Sequence, residues 1–445
     1  MSERTKISSL GTCCNKTFNN DPFSYPSSKT EQQRIGVPSS PVYSGLRLAS
    51  TVCVAMLCRL LINTARRFAY PFAPVLSRGL GVSLSAVTLI ISAYQMTGIL
   101  GLIFAPLGDR WGYRMMLLTG LGVLSAGMLI GGLFPFYVTV FFGLFLAGLG
   151  KSIFDPALQA HIGKQISFSK RGMFIGIIEM SWAGSSLLGI PCIGLIIAHF
   201  GWRAPFYVLG AIGFLAMVTL GVLMVSDQPK PRSVGKHLHI YRNLLHLVRM
   251  QTARGAIGFV FCISAANDNL FVIYGAWLEQ SFGLSIVALS MATTVIGVAE
   301  LSGEALTATI ADRFGPLKMI TIGVILTAFS YLALPAFGLT LPLALIALFF
   351  VFIALEFSIV CSISLVTELL PDARATMMSG YLAAGSLGRV IGALMGGPIW
   401  MTGGIVAVGC VSAAITGVGL IFLRKGLSGW KPAETEQPSK AVTDF

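Results

Sequence analysis

Charge is scarce in this 445-residue chain: Asp, Glu, Lys and Arg make up 11% of it, against 55% hydrophobic residues and a mean hydropathy of +0.79. That leaves too little polar surface for a water-soluble fold. Organised cysteine is lacking too. Of eight, Cys13 and Cys14 lie in a polar stretch and Cys53, Cys58, Cys192, Cys262, Cys361 and Cys410 in apolar runs, none at metal or disulfide spacing. They read as small buried hydrophobes. With no phosphate loop, zinc spacing or nucleophile elbow, neither a catalytic site nor a cofactor is expected, and Gly396-Gly397 sits in a helix-packing context. The first 44 residues lack the early apolar core of a signal peptide, and their Ser, Thr, Asn and Pro content reads as a disordered cytoplasmic tail.

What is present is a series of apolar runs long enough to cross a bilayer, which takes roughly 20 residues each. They predict helices at about 46–76, 84–107, 115–134, 136–159, 172–198 and 204–225, then at about 253–279, 285–311, 317–337, 339–369, 376–400 and 403–423. The expected fold is therefore all-α and integral to the membrane, with twelve transmembrane helices as two six-helix pseudo-repeats. The boundaries are an N-terminal tail (1–44), a first bundle (45–225), a cytoplasmic linker (226–252), a second bundle (253–424) and a C-terminal tail (425–445).

The formal charge of +13 does not indicate nucleic acid, because Lys and Arg sit in short connectors. Arg110, Arg114, Lys164, Lys170, Arg171, Lys230, Arg232, Lys236, Arg242, Arg249, Arg313, Lys318, Arg374, Arg424 and Lys425 fall on one side, and Arg78 and Arg203 on the other. The cation-rich side is expected to be cytoplasmic, with both termini there, in a plasma-membrane protein. The halves also echo each other. Asp109-Arg110-x-Gly112 recurs 203 residues later as Asp312-Arg313-x-Gly315, and Arg171, Gly189 and Gly194 recur at the same offset as Arg374, Gly392 and Gly397. Gly81-x-Ser83 recurs as Gly283-x-Ser285, one residue short of it. Six helices per half keep the copies parallel.

The stretch Gly108-Asp109-Arg110-Trp111-Gly112-Tyr113-Arg114, with its second copy from Asp312 through Arg313 and Gly315 to Lys318, resembles the signature of the major facilitator superfamily between its second and third helices. The likeness covers about residues 45 to 425 and implies the major facilitator fold and a transporter. It also implies a gating role for Gly108, Asp109, Arg110, Gly112, Arg114, Asp312, Arg313, Gly315 and Lys318. An acid at a helix end followed by Arg and a Gly turn can latch onto the neighbouring bundle, or can serve only to set topology. The fifth helix carries Gly184, Gly189, Pro191 and Gly194, which suit a hinge or close packing. This pattern resembles the drug and sugar proton antiporters of the arabinose-efflux-like branch, with an extra residue between Gly and Pro and no final Gly. The Arg that such antiporters often carry in the fourth helix is replaced here by Leu144.

Ionisable groups at bilayer depth each cost at least about 2.5 kcal/mol if left facing lipid, so they are expected to face a cavity or a partner. Arg59, Asn63, Arg66 and Tyr70 share one face of the first helix and form the first candidate substrate surface; snorkelling is the alternative for Arg66 and Arg67. Asp268 lies at a similar depth in the seventh helix, which raises an Arg59–Asp268 pair across the halves as a hypothesis. Trp182, Tyr274 and Arg389 complete the candidate substrate set, with packing or interfacial anchoring as the alternative for the aromatics, Trp277 included.

Glu300 and Glu304, four apart on the eighth helix, are candidate proton carriers together with Glu179 and Glu356; a structural pairing with Arg or Lys is the alternative. Lys151 and Asp155 form an i, i+4 pair. The expected function is secondary active transport of a small solute by a monomer, with protons and the bilayer as partners. The finer expectation is proton-coupled export of a drug-like or sugar-like molecule. The alternatives are uptake or exchange of a small organic anion and, from another class, a non-transporting receptor or scaffold.

Overall fold

The computed structural model describes residues 45–165, 179–224, 249–370 and 374–430. The predicted N-terminal tail, the predicted C-terminal tail beyond residue 430 and most of the linker lie outside them. Among the described residues there is no strand, and the apolar runs became helices because lipid leaves backbone amides no partner but their own chain. The spans are α1 (Gly45–Arg67, continued by Ala73–Leu80), α2 (Leu84–Trp111), α3 (Tyr113–Leu133), α4 (Tyr137–Gln165), α5 (Ser181–Phe200) and α6 (Ala204–Leu223). The second half holds α7 (Gln251–Phe271, continued by Tyr274–Phe282), α8 (Ile286–Phe314), α9 (Pro316–Phe337) and α10 (Leu341–Leu369). Its last stretch, Arg374–Gly426, breaks at Gly404 (φ 58°, ψ −153°), which parts α11 (374–403) from α12 (405–426).

Ten described segments are long and apolar enough to cross a bilayer when α7 is taken through its break and α11 and α12 as one run. Adding α1, with its mid-helix arginines, and separating α11 from α12 at Gly404 makes twelve spans among the described residues. Large side chains such as Leu57, Ile103, Phe214, Val222, Phe329 and Phe350 are exposed on the outer faces, where lipid rather than water is the matching solvent. Inside, small residues let backbones meet. A Cβ on Gly120 would lie 2.8 Å from the Gly150 carbonyl oxygen, and one on Gly127 2.5 Å from that of Gly143, which seats α3 against α4.

Two predicted helices are broken, and the breaks correspond. The helix expected at 46–76 stops at Arg67, turns through residues 68–72 and resumes at Ala73, with Pro71 unable to donate in the turn and Pro74 in the first turn of the second piece. The helix expected at 253–279 is interrupted at Val272 and Ile273. The repeat is therefore structural as well as sequential: left-handed glycines recur as Gly81 and Gly283 (φ 66° and 63°), Gly112 and Gly315 (87° and 84°), and Gly201 and Gly404 (82° and 58°). Because successive spans reverse direction, the turns at 81–83, 201–203, 283–285 and Gly404 share one end, called distal here. The starts of α1 and α7 and the end of α12 share the other, proximal end.

Candidate functional site

The α1 stripe turns inward, and its polar groups are met at successive depths. Nearest the proximal end, Arg59 holds Glu179 through Nη1–Oε1 (2.8 Å) and Nη2–Oε2 (2.9 Å), with Asp155 Oδ1 3.4 Å from Nε. Lys151 donates to Asp155 Oδ2 and to Asn63 Oδ1, each at 2.6 Å, and the fully buried Asn63 donates to Ser181 Oγ at 3.2 Å. Every member of this network belongs to the first half. The Arg59–Asp268 pair does not form: Asp155 on α4 and Glu179, just before α5, hold Arg59 instead.

One layer further, Arg67 reaches across to the second half. It donates to Glu300 twice, Nη2 to Oε1 at 2.6 Å and Nη1 to Oε2 at 3.1 Å, and also to the Trp182 carbonyl at 3.2 Å. Ser186 Oγ adds a 3.2 Å bond to Glu300, and both charged residues are almost wholly buried, at 2% and 3% exposure. The forked geometry satisfies both carboxylate oxygens, the condition under which a buried pair is tolerated. Beyond it, the Tyr70 hydroxyl donates to Asp268 at 2.7 Å, and Gln95 bridges the same pair, with Nε2 3.1 Å from Asp268 and a bond to Tyr70. Arg66 donates to the other end of the Gln95 amide rather than snorkelling outward. At the distal surface Arg78 meets Glu279 at 2.7 Å.

Three carboxyls gather beside this inter-half bridge. Gly303 has no side chain, so α10 settles onto α8 there, and a Cβ at Gly303 would lie 2.9 Å from Glu356 Cβ. This brings Glu356 within electrostatic reach of Glu300, Glu304 and Arg67. Glu304 and Glu356 are half-buried and form no ion pair among the described residues, whereas Glu300 is taken by Arg67. Glu300 thus has the arginine partner that the sequence left as its alternative.

Trp182 stands at the centre. Arg67 lies over its ring at 4.4 Å, Arg389 of α11 at 5.7 Å and Lys151 at 5.9 Å, so one indole carries cations from α1, α4 and α11. Tyr274 behaves differently: it is fully buried, stacks on Phe271 at 5.2 Å and shares a 3.0 Å hydrogen bond with Thr293, a packing role between α7 and α8. Trp277 is likewise buried.

In α5, one turn of wider helix (Ser185–Gly189) precedes Pro191. Gly184 faces Leu60, and Gly189 packs on Thr64 of α1. A Cβ on Gly194 would lie 2.3 Å from the side chain of Ser290, across the halves on α8. At the proximal turns Gly112 and Gly315 are left-handed, Arg114 Nη2 reaches the Gly221 carbonyl at 2.6 Å and Lys318 is exposed. The surroundings of Gly108 and the side chains of Asp109, Arg110, Asp312 and Arg313 lie outside what is described.

Arg67 and Gln95 were missed as site residues. In the sequence Arg67 is one of two adjacent arginines near a helix end, where snorkelling is open to both, and the signal for Gln95 is its lone amide within an apolar helix. Asp155 and Lys151 were recognised only as a local pair.

The sequence profile MFS_1, Major Facilitator Superfamily, matches residues 55–267 and again 256–444, covering both halves. The chain belongs to this superfamily. It is similar to the uncharacterized MFS-type transporter YceJ of Bacillus subtilis, 25% identical over 344 residues that cover 77% of this chain and 87% of YceJ. It is also similar to the multidrug resistance protein MdtG of Salmonella arizonae, 25% identical over 367 residues, covering 80% and 90% of the two chains. Among solved structures, a bacterial homolog of the human lysosomal transporter Spinster, inward-facing and unoccupied, superposes with a TM-score of 0.65 at 17% identity. That match covers 86% of this chain and 94% of the other and bears out the fold. The protein is an integral, multi-pass membrane transporter.

Proposed function

We propose that the protein exports a small drug-like or sugar-like molecule in exchange for protons, and that Glu300 is the proton site. The observation that supports this is the meeting of three carboxyls, Glu300, Glu304 and Glu356, around one guanidinium, Arg67, at the junction of the two halves. Three carboxylates sharing one cation in a low-dielectric space cannot all remain ionised at small cost. Facing the cluster are Arg67 from α1, Ser186 and the Trp182 carbonyl from α5, Arg389 from α11 and, near Glu304, Glu179.

The coupling follows from where the pair lies. With the distal end closed, Arg67 neutralises Glu300 and the carboxylate is ionised. Opening that end separates α1 from α8, strips Glu300 of its countercharge in the company of two other acids, and makes it take a proton. Reclosing restores Arg67 and expels the proton to the proximal side. With the proximal side cytoplasmic, as the Lys and Arg connectors indicate, protons move inward while substrate moves outward. The relation to MdtG supports the export direction.

Proteoliposomes with an internal pH dye test the reading with pooled amphiphiles and sugars. Wild-type protein is expected to pass protons on substrate addition, and Glu300→Gln to keep substrate-for-substrate exchange while losing its dependence on a pH gradient. Gradient-driven accumulation retained by Glu300→Gln overturns the assignment. A second reading, transport of an organic anion, is favoured by Arg389, which lies over Trp182 and has no carboxylate bonded to it among the described residues.

A further inference from the structure

We infer that Arg66 and Arg389 form an anion-binding subsite between the two halves beside Trp182, and that the transported molecule places a carboxylate, sulfonate or phosphate there. The inference goes beyond proton coupling, because it fixes a charged group on the substrate and would stand under any coupling ion.

It rests on how the buried cations are distributed. Arg59 and Lys151 are matched by Glu179 and Asp155, and Arg67 is matched by Glu300. Of the two arginines on the candidate substrate face of the first helix, Arg59 is therefore already occupied. Arg66 and Arg389 are different. Arg66 has a neutral amide, Gln95, as its side-chain partner, and Arg389 makes no hydrogen bond or ion pair to any described residue. The two come from opposite halves, α1 and α11, and lie close enough to repel each other.

Nearby acids do not cancel them. Asp268 is within electrostatic reach of both guanidiniums, but it is one carboxylate against two cations, and its Oδ1 already accepts from Tyr70 and Gln95. Glu356 is within reach of Arg389, but it also faces Glu300 and Glu304 around Arg67. Both arginines are half-buried rather than sealed, and Arg389 lies 5.7 Å over the ring of Trp182, itself half-buried. A guanidinium with free donors in a low-dielectric wall binds oxyanions by charge-assisted, forked hydrogen bonds. Held from both halves, such an anion would also screen Arg66 from Arg389 as the halves close.

The test is binding to the purified full-length protein in detergent, read as the rise in thermal unfolding temperature. The probes are acetate, sulfate and phosphate, then benzoate, benzenesulfonate and phenyl phosphate, against neutral benzamide and cationic benzylamine. At least one anion is expected to stabilise the wild type while benzamide and benzylamine do not. Arg389→Gln should weaken that anion's half-saturation by about tenfold to a hundredfold, and Arg389→Lys by less. Arg66→Gln serves as the second variant should Arg389→Gln prove unfolded, with the same weakening expected. Equal anion binding in wild type and both Gln variants overturns the proposal, as does silence across the whole anion set or stabilisation by the amine or amide alone. Binding in detergent needs no gradient, so failure here leaves the Glu300 reading to the proteoliposome assay.

Discussion

Two ion-pair systems of similar chemistry lie one layer apart on α1 and differ in which half supplies the acid. Arg59 draws Asp155 and Glu179 from its own half, so the network can travel as a rigid part of that bundle. Arg67, eight residues on, draws Glu300 from the opposite half, so rocking of the bundles, as in the proposed cycle, would break it. A buried charge pair inside one rigid body is structure; the same pair across a moving boundary is a switch.

The strongest way to break that contrast is to remove one partner at each level. Arg67→Gln or Glu300→Gln should cost the described state about 3–5 kcal/mol, since either leaves a buried charge alone, and the double substitution should recover much of the loss. Thermal unfolding in detergent measures this. Spin labels at Ser83 and Gln280, both exposed at the distal end, should then report a wider separation in the single variants. Should Arg59→Gln widen that distance as much, the distinction between the two layers fails.

Next in size is Gly194→Ala. The added methyl would press on Ser290 across the halves, at a cost of about 1–3 kcal/mol to the closed distal end, and Ser290→Gly in the same chain should relieve it. The label distance reads the outcome again. Arg59→Gln itself should cost about 1–2 kcal/mol of thermal stability, less than Arg67→Gln, because Asp155 keeps Lys151 and the Glu179 side chain is 42% exposed. Smallest is Arg78→Gln at the distal surface, below about 1 kcal/mol and further reduced by added salt, as expected for an exposed pair.

Much of this was legible in the sequence, for reasons that can be traced to residues. Apolar runs bounded by Gly, Pro and charge placed the spans found among the described residues, because a bilayer admits few alternatives to a helix. The offset of 203 between Gly112 and Gly315 reappeared as matching left-handed backbone, since a glycine in that conformation leaves its mark on composition as well as on shape. The breaks in α1 and α7 were not legible. Pro71 and Pro74 hinted at the first, whereas Val272 and Ile273 carry no breaker of their own.

The site divides the same way. That Arg59, Arg66, Asp268 and Glu300 would face inward followed from the cost of leaving a charge in lipid, a property of each residue by itself. Which acid each arginine would hold did not follow, because Asp155, Glu179, Asp268 and Glu300 are equivalent as residue types and differ only in where α4, α5, α7 and α8 bring them. The sequence by itself determined the membrane, the all-helical build, the repeat and the set of buried charges, all consequences of local chemistry and chain period. Only the tertiary structure decided that Arg59 is held within one half, that Arg67 joins the two, and that Arg66 and Arg389 have no ion-paired carboxylate among the described residues. Pairing depends on distances between helices far apart in the chain, which no local pattern records.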